Sequence, residues 1–129
     1  HSAFLSVHEK IIDINYRIWQ GQVEVLLPEI EKFRLKIIRS GKVRLPVDYY
    51  NIKKREHIKS KYDFEIGDLS YLMRKNVIGF IGLTSFERRL IRNRLEVGME
   101  IRNSLAHNTV VKTSMIKKLD DFQVESVSL

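Results

Sequence analysis

The chain contains no cysteine, which excludes structural disulfides, cysteine-ligated zinc and thiol nucleophiles together. It is also poor in backbone breakers, with 2 prolines and 6 glycines in 129 residues, so long uninterrupted elements are open to it. No apolar run approaches the ~20 residues that span a bilayer, and no segment has the build of a secretory signal. There is no glycine-rich phosphate loop and no serine-triad signature. His8, His57 and His107 lack ligand spacing, and His1 reads as a tag residue, so neither a metal nor a cofactor is expected. The missing cysteines suit a reducing compartment, and an intracellular location, cytoplasmic or nuclear, is the expectation.

What the chain does have is a hydrophobic share of 43%, enough for one ordered core at a length too short for two. A single domain spanning 1–129 follows, with 124–129 read as a frayed tail. The opening His1-Ser2 reads as a processed tag or as the edge of a domain excised from a larger protein, so further domains or a partner protein are anticipated. Lys and Arg number 23 against 16 Asp and Glu, a net charge of +7. That balance favours a polyanionic partner, because each neutralised phosphate releases counterions.

The apolar periodicity is helical almost throughout. Phe4, Val7, Ile11, Ile14 and Ile18 recur at three and four, the stripe of an amphipathic helix. Ile12, Tyr16 and Trp19 widen it, so this helix should face two neighbours. Leu26, Ile30, Phe33 and Ile37 form a second run, and Pro28, tolerable in a first turn, predicts that a second helix begins near it. Ser40-Gly41 is a stop signal. Residues 41–67 read as an irregular insertion. Within it Lys53, Lys54, Arg55, Lys59 and Lys61 form the densest basic cluster, an exposed candidate RNA-binding surface. Asp68 is a candidate N-cap for a short helix through Leu72 and Met73 that ends near Asn76. Val77 to Leu83 is either a buried linker or a short helix. Thr84 and Glu87 have capping-box spacing, predicting a main helix from there to about His107, roughly 34 Å long. Asn108 can end it in a left-handed conformation, and a last short helix is expected from Ser114 toward Phe122. The fold class is therefore all-α.

On a wheel of the main helix, Ile91, Leu95, Ile101 and Leu105 lie on one broad arc. Glu96, Glu100, Asn103 and His107 lie opposite. Arg102 falls inside the apolar arc between Ile91 and Leu95, as does Arg94. A guanidinium there either extends its stem to solvent or bonds a carbonyl, or it marks a site that needs a cation where two chains meet. His107 is suited to acid–base work near neutrality; it could equally bond the last helix carbonyls.

Arg102-Asn103-Ser104-Leu105-Ala106-His107, preceded by Ile101, resembles the signature of the HEPN superfamily: Arg, a polar residue, three variable positions and His. The specific match covers Ile101 to His107. The resemblance implies an antiparallel helical bundle that dimerises, here through the helix 85–107, with the Arg and His of both protomers lining one cleft. It implies a metal-independent endoribonuclease of single-stranded RNA that leaves 2′,3′-cyclic phosphate and 5′-hydroxyl ends. Arg102 would stabilise the phosphorane, His107 would act as general acid or base, and Asn103 would position the phosphate or the imidazole. The alternative is a non-catalytic HEPN module for dimerisation, partner binding or nucleotide sensing.

Overall fold

A computed structural model describes the backbone of residues 2–46, 50–51, 55–121 and 129. The elements run α1 (Ser2–Arg39), β1 (Val43–Arg44), β2 (Tyr50–Asn51), β3 (Glu56–His57), a 3-10 turn (Lys61–Asp63), α2 (Ile66–Arg74), β4 (Gly79–Phe80), α3 (Ser85–Ala106) and α4 (Thr113–Asp121). The class is all-α. Among the described residues the four strands have two residues each and form two separate antiparallel ladders, β1 with β4 and β2 with β3.

The break predicted near Pro28 does not occur. α1 is one helix of 38 residues with Pro28 inside it. Pro28 cannot donate to the carbonyl of Glu24, but both residues are exposed, so water can satisfy the freed oxygen. Leu26, Ile30 and Phe33, buried on either side of the proline, hold both halves of the helix to one core.

α3 lies antiparallel to α1. The Trp19 indole Nε1 donates to the Leu105 carbonyl at 2.9 Å, and Gly98 faces Ile30 of α1 and Ile66 of α2. A Cβ at Gly98 would stand 3.6 Å from Ile66 Cγ1, an ordinary contact distance, so three helices meet at this point with room for no more than a small side chain. α2 runs back along α3 from that crossing, with Met73 close to Arg88 and Arg92. Ile91, Leu95, Ile101 and Leu105 of α3 are essentially inaccessible. α4 covers the far end through Leu119, Met115 and Ile116.

Local signals explain the ends. Thr84 Oγ1 accepts from Glu87 N at 3.1 Å and Glu87 Oε1 accepts from Thr84 N at 2.9 Å, the reciprocal box that starts α3. Asn108 at φ 55 terminates it, with Thr109 N donating to Ser104 O at 2.9 Å. α2 begins one turn earlier than predicted. Glu65 is its N-cap, and Asp68, the expected cap, sits at the third helical position, accepting from Glu65 N at 2.9 Å. Asn76 ends it at φ 56. Gly79-Phe80, read as linker or helix, is extended and pairs with Val43-Arg44, because 43–44 supplies the backbone partners that an apolar run cannot reveal. The described residues of 41–65 are irregular as expected, apart from these short ladders and the 3-10 turn, and Ile66 and Gly67 belong to α2. The expected tail from 124 to 128 lies outside the described residues.

Candidate functional site

Arg102, Asn103 and His107 all sit in the last turns of α3 and all three are exposed. Arg102 is not held among core side chains. Its side chain is 45% accessible and its Nη2 stands 3.7 Å from Glu65 Oε2. The wheel placed it on the core-facing arc, but α2 starts beside Gly98, one turn short of it, and the side chain reaches out to solvent. The buried arginine of the arc is Arg94, whose guanidinium lies 5.2 Å above the Phe33 ring. Phe86, in the first turn of the same arc, is likewise exposed.

Arg102 borders a groove of about 760 Å³ between α1 and the segment that leads into α2. Leu27, Ile30 and Ile66 form its apolar part, and Lys59, His57 and Tyr62 rise from the insertion. Arg34 braces the wall, donating to Tyr62 O at 3.1 Å and Phe64 O at 2.7 Å while forking onto Glu31 at 2.8 and 2.6 Å. The hydrogen bonds from Arg34 hold the Glu31 carboxyl below the usual carboxylate range. Most acids around the groove are thus engaged: Glu31 by Arg34, Asp63 by the Ser60 backbone at 3.2 Å, and Glu65 by Arg102.

His107 does not border this groove. It is the C-cap of α3, its own N–H bonding Asn103 O and Ser104 O at 3.1 and 3.2 Å. Five residues on one helix separate Arg102 from His107 by about 140° around the axis and ~7.5 Å along it. The two motif side chains therefore leave one protomer in different directions. Trp19 and Gln22 of α1 support this end: Gln22 donates to Val111 O at 2.9 Å and accepts from Val111 N at 2.7 Å. Sequence reading missed both, because neither residue type signals a contact 86 or 89 positions away.

The basic cluster divides. Lys53 and Lys54 lie outside the described residues. Arg55, Lys59 and Lys61 are exposed; Lys59 borders the Arg102 groove, and the Lys61 ammonium lies 5.7 Å over the Tyr62 ring. A second cationic patch went unnoticed in the sequence. Arg88, Arg89 and Arg92 line a groove of about 340 Å³ with Phe80 and Asn76 and with no carboxylate among the lining residues. Its only sequence signal is the Arg spacing at i, i+1 and i+4.

The surface on which α3 was expected to dimerise is covered within the protomer by α1, α2 and α4. Among the described residues, the largest unpartnered apolar surface belongs instead to the first half of α1. Among the described residues no three His, Asp or Glu side chains are grouped as metal ligands, and no helix is long and apolar enough to cross a membrane. Comparison with protein-family models, with curated proteins and with solved structures gives no match.

Proposed function

We propose that this chain is a HEPN-like endoribonuclease domain that cleaves single-stranded RNA in a homodimer, at a cleft to which both protomers contribute Arg102 and His107. The observation that carries the reading is the divergence of these two exposed side chains at the end of α3. One protomer offers a cation on one side and an imidazole on another, and a two-fold partner supplies what each side lacks.

In the proposed reaction the 2′-hydroxyl of the RNA attacks the adjacent phosphorus and the 5′-oxygen leaves. A cyclic phosphate and a 5′-hydroxyl result, and no water is consumed. The Arg102 fork meets the charge on the non-bridging oxygens. His107 transfers a proton from the attacking or to the leaving oxygen, and Asn103 bonds a phosphate oxygen. Lys59, Tyr62 and Arg34 give the strand a charged wall with a ring for base stacking.

The test is cleavage of single-stranded RNA in EDTA with identification of the ends. Arg102→Ala and His107→Ala are each expected to lower the rate about 100-fold or more while leaving the helical spectrum intact, since both side chains are exposed. Activity that persists in both variants would refute the assignment. A second reading, a non-catalytic association module, is favoured by the open apolar face of α1; a clean dimer that cuts no RNA would select it.

A further inference from the structure

Residues 6–18 of α1 are exposed on every side, because the helix runs on past the end of α3, where Trp19 makes its contact. Along this overhang Val7, Ile11, Ile14 and Ile18, and further along Val25, are between 46% and 65% accessible. Their spacing is three and four residues without interruption, with Gly21 filling the remaining position. That is the seam of a two-stranded coiled coil over nearly three heptads. The seam points about a third of a turn away from Trp19, Leu26 and Ile30, which face the protomer core, so packing of the body does not obstruct it.

We propose that two copies of this chain associate through this seam, with the α1 helices antiparallel about a two-fold axis level with position 16. The seam is self-complementary in that register. Ile14 meets the partner's Ile18, Val7 meets the partner's Val25, and Ile11 packs over the partner's Gly21, where a Cβ would meet nothing within 4 Å in the protomer. At the flanks Lys10 faces the partner's Glu24, and the symmetric contact repeats it; among the described residues neither has an ion-pair partner in its own protomer. Arg17 falls close to the axis opposite its own copy, and Asp13 at 2.9 Å neutralises it on the same helix.

The paired stretch, 7 to 25, is ~28 Å long at helical rise. Val7, Ile11, Ile14, Ile18 and Val25 present roughly 500 Å² per protomer, and the stems of Lys10, Arg17 and Glu24 beside them extend it toward the ~800 Å² per partner of a stable interface. A two-fold perpendicular to the helix pair keeps the Trp19 sides of both copies on one face. The two Trp19 positions, and the α3 ends bonded to them, then stand about 9 Å apart along the helix direction. The association therefore sets the two Arg102–His107 segments on the same face of the helix pair. That consequence rests on the endoribonuclease reading; the association itself does not.

Sedimentation of the full chain across a concentration series tests the association without any RNA. The wild type is expected to be a dimer at ~10 μM. Ile14→Asp with Ile18→Asp should raise the dissociation constant at least about 100-fold and leave the helical spectrum of the monomer unchanged, since both side chains are outside the core. Lys10→Glu and Glu24→Lys, made singly, should each weaken the dimer several-fold, and together should restore it. A wild type that stays monomeric at several hundred micromolar would overturn the proposal and leave the face to a different protein. A dimer indifferent to the aspartates would overturn it too, and charge variants that do not rescue each other would overturn the antiparallel register. A dimer that meets all these tests but cuts no RNA would sink only the endoribonuclease reading.

Discussion

Gln22 is the side chain whose loss should most directly loosen the end of the domain that carries His107. Its amide reproduces a backbone pair, donating to Val111 O at 2.9 Å and accepting from Val111 N at 2.7 Å. Val111 is buried, so truncating Gln22 removes two hydrogen bonds and leaves a donor and an acceptor with poor access to water. Each bond is worth about 0.5–1.5 kcal/mol net, and a stranded buried group costs ~1–3 kcal/mol. Gln22 itself is half-buried, so some water reaches the gap and the sum settles at about 2 kcal/mol. For a domain of this size that lowers the melting temperature by about 7 °C. Gln22→Met keeps the stem packed and isolates the bonds; Gln22→Ala adds the lost packing. Urea denaturation at fixed protein concentration, in the Ile14→Asp, Ile18→Asp background, keeps association out of the comparison. The Val111 amide should also exchange at least about 10-fold faster. A Gln22→Met loss below ~0.5 kcal/mol with unchanged exchange would refute the clasp.

Ser70 is fully buried in α2 and its Oγ has no hydrogen-bond partner, so Ser70→Ala should be neutral or stabilising by up to about 1 kcal/mol in a urea melt. The carboxyls of Glu31 and Glu87 are held low, the first by hydrogen bonds from Arg34 and the second by those of Thr84. Such groups contribute stability above their unfolded pKa that is lost as pH falls through the lowered folded value. Glu31→Gln and Glu87→Gln should therefore flatten the acid side of the stability curve and change its slope little at neutral pH. Neutralising Arg55, Lys59 and Lys61 should weaken RNA binding more at low salt than at high salt, lowering the salt slope by about one for each phosphate left without its cation. Arg88→Ala with Arg92→Ala should do the same if the carboxylate-free groove also holds the strand.

Where the sequence carried a local signal, it was readable. The capping box at Thr84, the left-handed Asn76 and Asn108, and the apolar periods of α1 and α3 are all decided within a few residues of themselves. The errors fall where a distant partner decides. Pro28 reads as a boundary unless the helix is known to be clamped on both sides of it. Gly79-Phe80 reads as a linker until 43–44 offers an edge to pair with. Arg102 reads as a cation on the inward arc with a stem reaching to solvent as one of its readings, and the fold selects that one because α2 stops a turn short of it. The stripe of α1 was legible as a stripe facing two neighbours; that residues 6–18 meet neither within the protomer needs the fold.

The motif itself held more information than its residue types. Five residues on an unbroken helix cannot bring an arginine and a histidine together, whatever surrounds them. A kinked or frayed end could have relaxed that limit, but α3 is regular to Ala106, and its last carbonyls are taken by Trp19, His107, Asn108 and Thr109. The end is thus braced by hydrogen bonds with the two side chains leaving it in different directions. Chemistry that needs both groups must take one from each of two helices, so the surface that chooses the partner also assembles the site. On the apolar arc of α3, Phe86 stays exposed at the end away from the motif, while Ile101 and Leu105 beside the motif are buried once α1, α2 and α4 have packed on it. α1 has a long apolar surface, rooted beside the motif through Trp19. Disrupting the α1 seam should accordingly abolish RNA cleavage as completely as losing Arg102 or His107, although no seam residue would touch the RNA.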